Sequence, residues 1–337
     1  MRREIAEQPA RWQELLSEGA EELTAVRAGI WAEPPRAVLF VARGTSDHAA
    51  LYANYLVQTG LQVPAASASP SVVTLYGARP DLRDVLVVAV SQSGESPDLV
   101  SFVETARASG ARTVTLTNAA GSSLAAMSDA VIDIRAGRET AVAATKSYTG
   151  ELLALAALFA TPEVVRLLPS LPELAEQVLA RAPEGIAELS SRYRYATRVM
   201  TAARGYSSAS AREAALKLVE TSYLSAHGMS SADLLHGPVA LLDESVPLLC
   251  FASAGPEAAE LRDLASLAAG RGVDVDVIGD GTVAGTTLPA LLPSGVGTEI
   301  RPLLEILPAQ LLAAEVAVAR GHDPDAPRGL SKVTRTY

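Results

Sequence analysis

Residues 85–110 read VLVVAVSQSGESPDLVSFVETARASG. Val85 to Val90 is an unbroken aliphatic run, the length of one strand and too short for a helix of its own. It stops at Ser91-Gln92-Ser93-Gly94-Glu95-Ser96, and a helical pattern begins at Pro97. A strand that is apolar at every position is covered on both faces, the signature of a parallel sheet in an α/β domain. The polar segment then lies at the carboxyl end of a strand and the start of a helix, where open parallel sheets bind their ligands.

Working outward, apolar runs at 37–42, 113–118 and 130–134 predict further strands in the same domain. Runs at 197–203, 246–252 and 275–280 predict a second set. The two sets are related. VARGTSDHAALYANYL (41–56) aligns with AARGYSSASAREAALKL (202–218), Gly44 opposite Gly205, and SQSGES aligns with ASAGPE, Gly94 opposite Gly255. Both pairs are 161 positions apart, which points to a duplicated domain. The expected fold class is α/β, with two tandem domains at 35–160 and 195–320. Each is a central parallel sheet with helices on both faces. A helical segment at 1–34 precedes them, a proline-punctuated connector at 161–194 joins them, and a tail at 321–337 follows. Ser91 and Ser93 correspond to Ala252 and Ala254, so the second copy drops the hydroxyls. The first domain is therefore expected to carry the ligand site.

The 337 residues carry a net charge of −10, which argues against nucleic acid as a partner. No apolar stretch follows the N-terminal arginines as in a signal peptide, and the longest apolar run, LLALAALFA, is too short to cross a bilayer. Cys250 is the only cysteine, which favours a reducing, cytoplasmic setting. The four histidines show no metal-ligand spacing, and neither a metal nor a cofactor is expected. Lysine is scarce: Lys146, Lys217 and Lys332 among 28 basic residues. An amine can form an imine or give up its proton, and a guanidinium cannot.

Two strand ends in the first domain are dressed alike: Thr45-Ser46 after Gly44, and Ser91, Gln92, Ser93 and Ser96. Hydroxyls and amides at helix starts make an uncharged cradle for a phosphate. Plain helix capping would explain Ser46 or Ser96 singly, but not five hydroxyls at neighbouring strand ends. A third segment, Val142-Ala143-Ala144-Thr145, opens a helix with Lys146 in its first turn. In the second domain Glu213, Lys217 and Glu220 share one helix face. Spacing alone leaves Glu213–Lys217 readable as a surface ion pair, while Glu220 is a candidate general base.

These motifs, with AVAATKSYTGEL (141–152), REAALKLVETSY (212–223), DLLHGPVALLD (233–243), DPDAPRGLSKV (323–333) and EIAEQP (4–9), resemble the sugar-isomerase (SIS) family. Within it the chain is most similar to the isomerase half of glucosamine-6-phosphate synthase and its stand-alone relatives. The resemblance implies two SIS domains and a homodimer with a shared active site. It implies phosphosugar binding by Thr45, Ser46, Ser91, Gln92, Ser93 and Ser96, with Val142 and Ala144 as further substrate contacts. Glu220 is implied as the proton shuttle, Lys217 as a nearby active-site lysine, His236 as a ring-opening histidine from the neighbouring subunit, and Lys332 as an imine-forming tail lysine. Two positions depart: Leu235 replaces a usual lysine, and His227 an expected glutamate. The chain begins at the isomerase half, with no glutaminase cysteine. The implied reaction is therefore deamination of glucosamine 6-phosphate to fructose 6-phosphate and ammonia. Alternatives are dehydration of N-acetylglucosamine 6-phosphate by a lyase, deglycation of a fructosamine phosphate, and a non-catalytic sugar-phosphate sensor.

Overall fold

The computed structural model describes residues 1–285 and 291–332, so the last five residues of the expected tail lie outside the described range. The chain divides into two lobes. The first comprises Ala10–Glu139, Lys146–Pro169 and residues 331–332; the second comprises Met1–Pro9, Thr140–Thr145 and the described residues of Ser170–Leu330.

The first lobe holds a parallel sheet of β1 (Ala37–Val41), β2 (Ala65–Ser67), β3 (Val85–Val90), β4 (Arg112–Thr117) and β5 (Ala130–Asp133), in the order β2-β1-β3-β4-β5. All six residues of β3 are buried. Val85, Val87 and Ala89 pack with Leu99, Phe102 and Val103 of the helix Pro97–Ala108. Leu86, Val88 and Val90 alternate to the opposite face and are equally buried. From β1 the chain goes to β2 on one side and then to β3 on the other. The strand order therefore reverses between β1 and β3, and the crevice beyond their carboxyl ends is the topological switch point.

The second lobe repeats this plan. β6 (Arg198–Ala203), β7 (Ser225–Ser230), β8 (Leu248–Phe251) and β9 (Val275–Ile278) run parallel in the order β7-β6-β8-β9. A shift of 161 positions carries β1, β2, β3 and β4 onto β6, β7, β8 and β9. The same shift carries Pro97–Ala108 onto the helix Ala258–Ala269. Gly44 and Gly205 both turn with positive φ, 55° and 63°, a conformation that favours glycine at the strand-to-helix corner. The second pair of landmarks diverges: Gly94 has φ 64°, and Gly255 has no left-handed backbone.

Seven strands stand where the apolar runs predict them, and β2 and β7 are additional. Both are edge strands of polar or small residues (AAS and SAHGMS), so neither carries an aliphatic run. The connector forms a short helix, Pro162–Val165, and a long one, Leu171–Tyr193, with Pro183 inside the latter rather than at its end. Among the described residues one helix, Arg301–Ala319, is long and apolar enough to cross a membrane; 78 % of its apolar window is buried in the structure. Its scattered Arg301, Glu305 and Gln310 hide it from a search for unbroken apolar runs. Cys250 sits in β8, and burial, with Asp276 nearby, pushes its thiol up to about 12, so the thiolate nucleophile is suppressed.

Candidate functional site

At the first-lobe switch point the hydroxyls are not spent on capping. Gly44 is the N-cap of the helix Thr45–Leu56, and Ser96 is the N-cap of Pro97–Ala108; neither makes a side-chain cap bond. Ser91 Oγ accepts from the Gly94 amide at 3.2 Å, and Ser93 Oγ accepts from the Glu95 amide at 3.3 Å. Both hydroxyls act as acceptors in these bonds, so each keeps its own proton to donate outward. Glu95 ties the loop to Ser123 through its amide (3.0 Å) and hydroxyl (2.8 Å). At Gly94 a Cβ would collide with Ser122, which fixes glycine there. The buried carboxylate of Asp98 meets Arg43 at 2.7 Å and so joins the β1 corner to the helix that follows β3. Ser46 is buried and donates to Glu151 at 2.8 Å; its hydroxyl is directed at that carboxylate. Thr45 is half-buried in the first helical turn.

A residue that neither spacing nor resemblance singled out organises this region. Glu139 has a fully buried side chain. Its Oε1 receives the backbone amides of Lys146 (2.7 Å) and Ser147 (3.2 Å) at the start of the helix Lys146–Phe159. Its Oε2 receives Gln92 Nε2 (2.8 Å), Ser147 Oγ (2.8 Å) and Lys332 Nζ (2.9 Å). Lys332 thus stands on the same carboxylate oxygen as a member of the 91–96 loop. The sequence offered one weak signal, an acidic residue shortly before a helix start.

In the second lobe the helix Ser208–Ser222 carries the ionic residues. Lys217 is fully buried, 3.3 Å from Glu213 and 2.5 Å from Glu220. Burial pulls the ammonium's pKa down, but the charges of Glu213 and Glu220 outweigh it and leave Lys217 above the usual lysine value. Lys217 is thus a buried ammonium held between two carboxylates. The surface-pair reading of Glu213 fails: its side chain is 0 % exposed, because its helix packs against β6, β7 and Arg301–Ala319. The Glu220 side chain is 22 % exposed and is the member of the trio that reaches solvent. The helix ends at Tyr223 with a left-handed backbone, φ 55°. Tyr223 in turn holds the tail: its hydroxyl accepts from the Arg328 amide at 2.7 Å, and the Arg328 guanidinium lies 4.1 Å above its ring.

His236 is exposed and follows the short helix Ser231–Leu235. His227 lies exposed on edge strand β7, which leads directly into that helix, and Leu235 is exposed. Val142 and Ala144 belong to the 140–145 segment of the second lobe, where Val142 donates its amide to Asp325 at 3.3 Å. That segment is held by the buried Glu4, which accepts from the Thr140 amide (2.5 Å) and hydroxyl (2.9 Å). The second-lobe counterpart of the serine loop is filled from within. Arg301 bonds Glu257 at 2.5 Å and the Ala254 carbonyl at 2.6 Å. Among the described residues no group of three or more His, Cys, Asp or Glu is arranged to hold a metal.

The SIS domain model matches residues 33–161 and 193–319. The chain belongs to the SIS domain family. Its two matched segments each carry one of the two parallel sheets, so the SIS domains are in tandem. The glutamine–fructose-6-phosphate aminotransferase (isomerizing) of Methanothermobacter thermautotrophicus is 34 % identical over 98 % of this chain. This SIS chain spans 56 % of that relative's length. A Silicibacter pomeroyi crystal structure, described as a candidate phosphosugar isomerase, is 38 % identical with a TM-score of 0.87. It covers 96 % of this chain and 99 % of its own. The C-terminal domain of glucosamine–fructose-6-phosphate aminotransferase from Francisella tularensis is 25 % identical, with a TM-score of 0.85. It covers 96 % of this chain and 97 % of its own.

Proposed function

We propose that this SIS protein is an isomerase of an amino-sugar phosphate that converts glucosamine 6-phosphate to fructose 6-phosphate and ammonia. The observation that carries the reading is Glu220, a carboxylate open to solvent yet set 2.5 Å from a fully buried lysine. Burying an ammonium costs several kcal/mol unless its partners repay it. Two carboxylates on one helix face meet that need here, and one of them is left able to exchange a proton. The relatives named for phosphosugar chemistry support the substrate class.

In this reading the phosphate sits on the switch-point loops, on Thr45, Ser91, Gln92, Ser93 and Ser96. Ser46, whose proton is committed to Glu151, accepts from a sugar hydroxyl rather than donating to the phosphate. Val142 and Ala144 offer backbone contacts to the sugar. His236, exposed beside a Gly-Pro turn, serves a neighbouring copy in a homodimer and moves the C1-hydroxyl proton to the ring oxygen as the ring opens. Glu220 then takes the C2 proton and returns it at C1. This converts the 2-amino aldose to a 2-imino compound, and water adds to C2 and expels ammonia. Lys217 fixes the position and charge of Glu220. Lys332 meets the open-chain carbonyl with its amine.

The test is a panel of hexosamine 6-phosphates, free and N-acetylated, with ammonia release and product mass both read. Ammonia from the free amine, lost on Glu220→Gln by about 10²–10⁴-fold, supports the reading. Loss of water from the N-acetylated sugar makes the protein a lyase instead. Tight binding of every sugar without turnover makes it a sensor.

A further inference from the structure

Among the described residues at least five hydrogen bonds converge on the buried carboxylate of Glu139, and they are not equivalent. Four come from groups fixed by the fold or by the 91–96 loop: two amides at a helix start, the Ser147 hydroxyl and the Gln92 amide. The fifth comes from Lys332, a tail residue whose side chain is 25 % exposed. If Lys332 leaves, the carboxylate keeps four neutral donors and the favourable end of a helix dipole, so it is not orphaned. If Glu139 is removed, every donor loses its acceptor. The carboxylate is the fixed partner and the lysine the movable one.

We infer that Glu139 is a positioning residue: it docks Lys332 beside Gln92 through one oxygen, and the tail lysine is its detachable occupant. The chemical role of the dock rests on the proposed function. To react, the lysine must leave Glu139 and give up a proton. Its nitrogen then adds to the sugar carbonyl carbon, and water departs as the imine forms. Docking keeps the amine within reach of that carbonyl and holds the tail in place between turnovers.

Glu139→Gln, with its carbonyl oxygen kept on the Lys146 and Ser147 amides, puts an NH2 group that cannot accept in front of Gln92 and Lys332. Trypsin cleavage after Lys332, followed by mass loss of residues 333–337, is expected to accelerate about tenfold or more. Activity on glucosamine 6-phosphate is expected to fall about ten- to a hundredfold in kcat/KM, and by under about threefold when Lys332→Ala is already present. Equal losses in both backgrounds would reduce Glu139 to a structural residue and overturn the inference. Should Glu139→Gln fail to fold, Lys332→Met reads the same asymmetry. The dock keeps its four donors, so the melting temperature should move by less than about 2 °C, and a larger drop overturns the inference. Proteolysis and melting need no turnover, so they judge the dock even if no amino-sugar phosphate proves to be a substrate.

Discussion

Replacing Glu305 by glutamine should make the protein more stable at alkaline pH and leave it nearly unchanged in mild acid. Glu305 lies in Arg301–Ala319 with its side chain fully buried. Burial pushes its carboxyl from 4.5 up to about 7, although Ser210 and Ser207 hydroxyls and the Arg301 charge pull the other way. Those serines stand close by without giving either carboxylate oxygen a hydrogen bond of good geometry. The folded protein therefore holds this proton more tightly than the unfolded chain does. The stability it contributes is full below about pH 4.5 and is lost as pH rises through about 7. At about 1.4 kcal/mol per pH decade, the loss by pH 8.5 is about 3 kcal/mol. Glutamine does not titrate, so Glu305→Gln escapes it. Calorimetric melting at pH 5 and pH 8.5 should show near-coincidence at the lower pH. At the higher pH the variant should gain about 6–12 °C in the second-lobe transition. The same offset at both pH values, or a variant less stable at pH 8.5, would refute the assignment of an uncompensated buried carboxyl.

Lys217→Met strands the Glu213 carboxylate in the core and should cost about 3–5 kcal/mol, read as a large drop in melting temperature. Adding Glu213→Leu should recover much of that loss, because an apolar pair leaves no charge behind. Gly94→Ala forces a side chain into the left-handed backbone and against Ser122. The strain of about 1–2 kcal/mol should displace the 91–96 loop and raise KM for a sugar phosphate about tenfold, with a smaller effect on kcat.

The sheet cores were legible in sequence because each buried strand wrote itself as an aliphatic run, Val85–Val90 most plainly. The duplication was legible because two pairs of glycines kept one spacing, and every paired strand obeys it. Edge strands β2 and β7 were not, since an edge demands hydrogen bonds from one neighbour only and no apolar run. At the site, the hydroxyl cluster could be read from residue type and position. The burial of Glu213 and Lys217 could not, because spacing on one helix reveals a shared face and not what covers it. Glu139 was barely legible for a stronger reason: its partners come from residues 92, 146, 147 and 332, and only the folded first lobe brings them to one carboxylate.

The scarcity of lysine has a practical consequence. Of the side-chain amines, Lys146 and Lys217 are 2 % and 0 % exposed, while Lys332 retains a quarter of its surface. Reagents that acylate amines in the folded state should therefore single out the tail among the lysines. A fluorophore or a surface linkage can be installed there without mutagenesis, and the rate of its attachment would report how often the tail lets go.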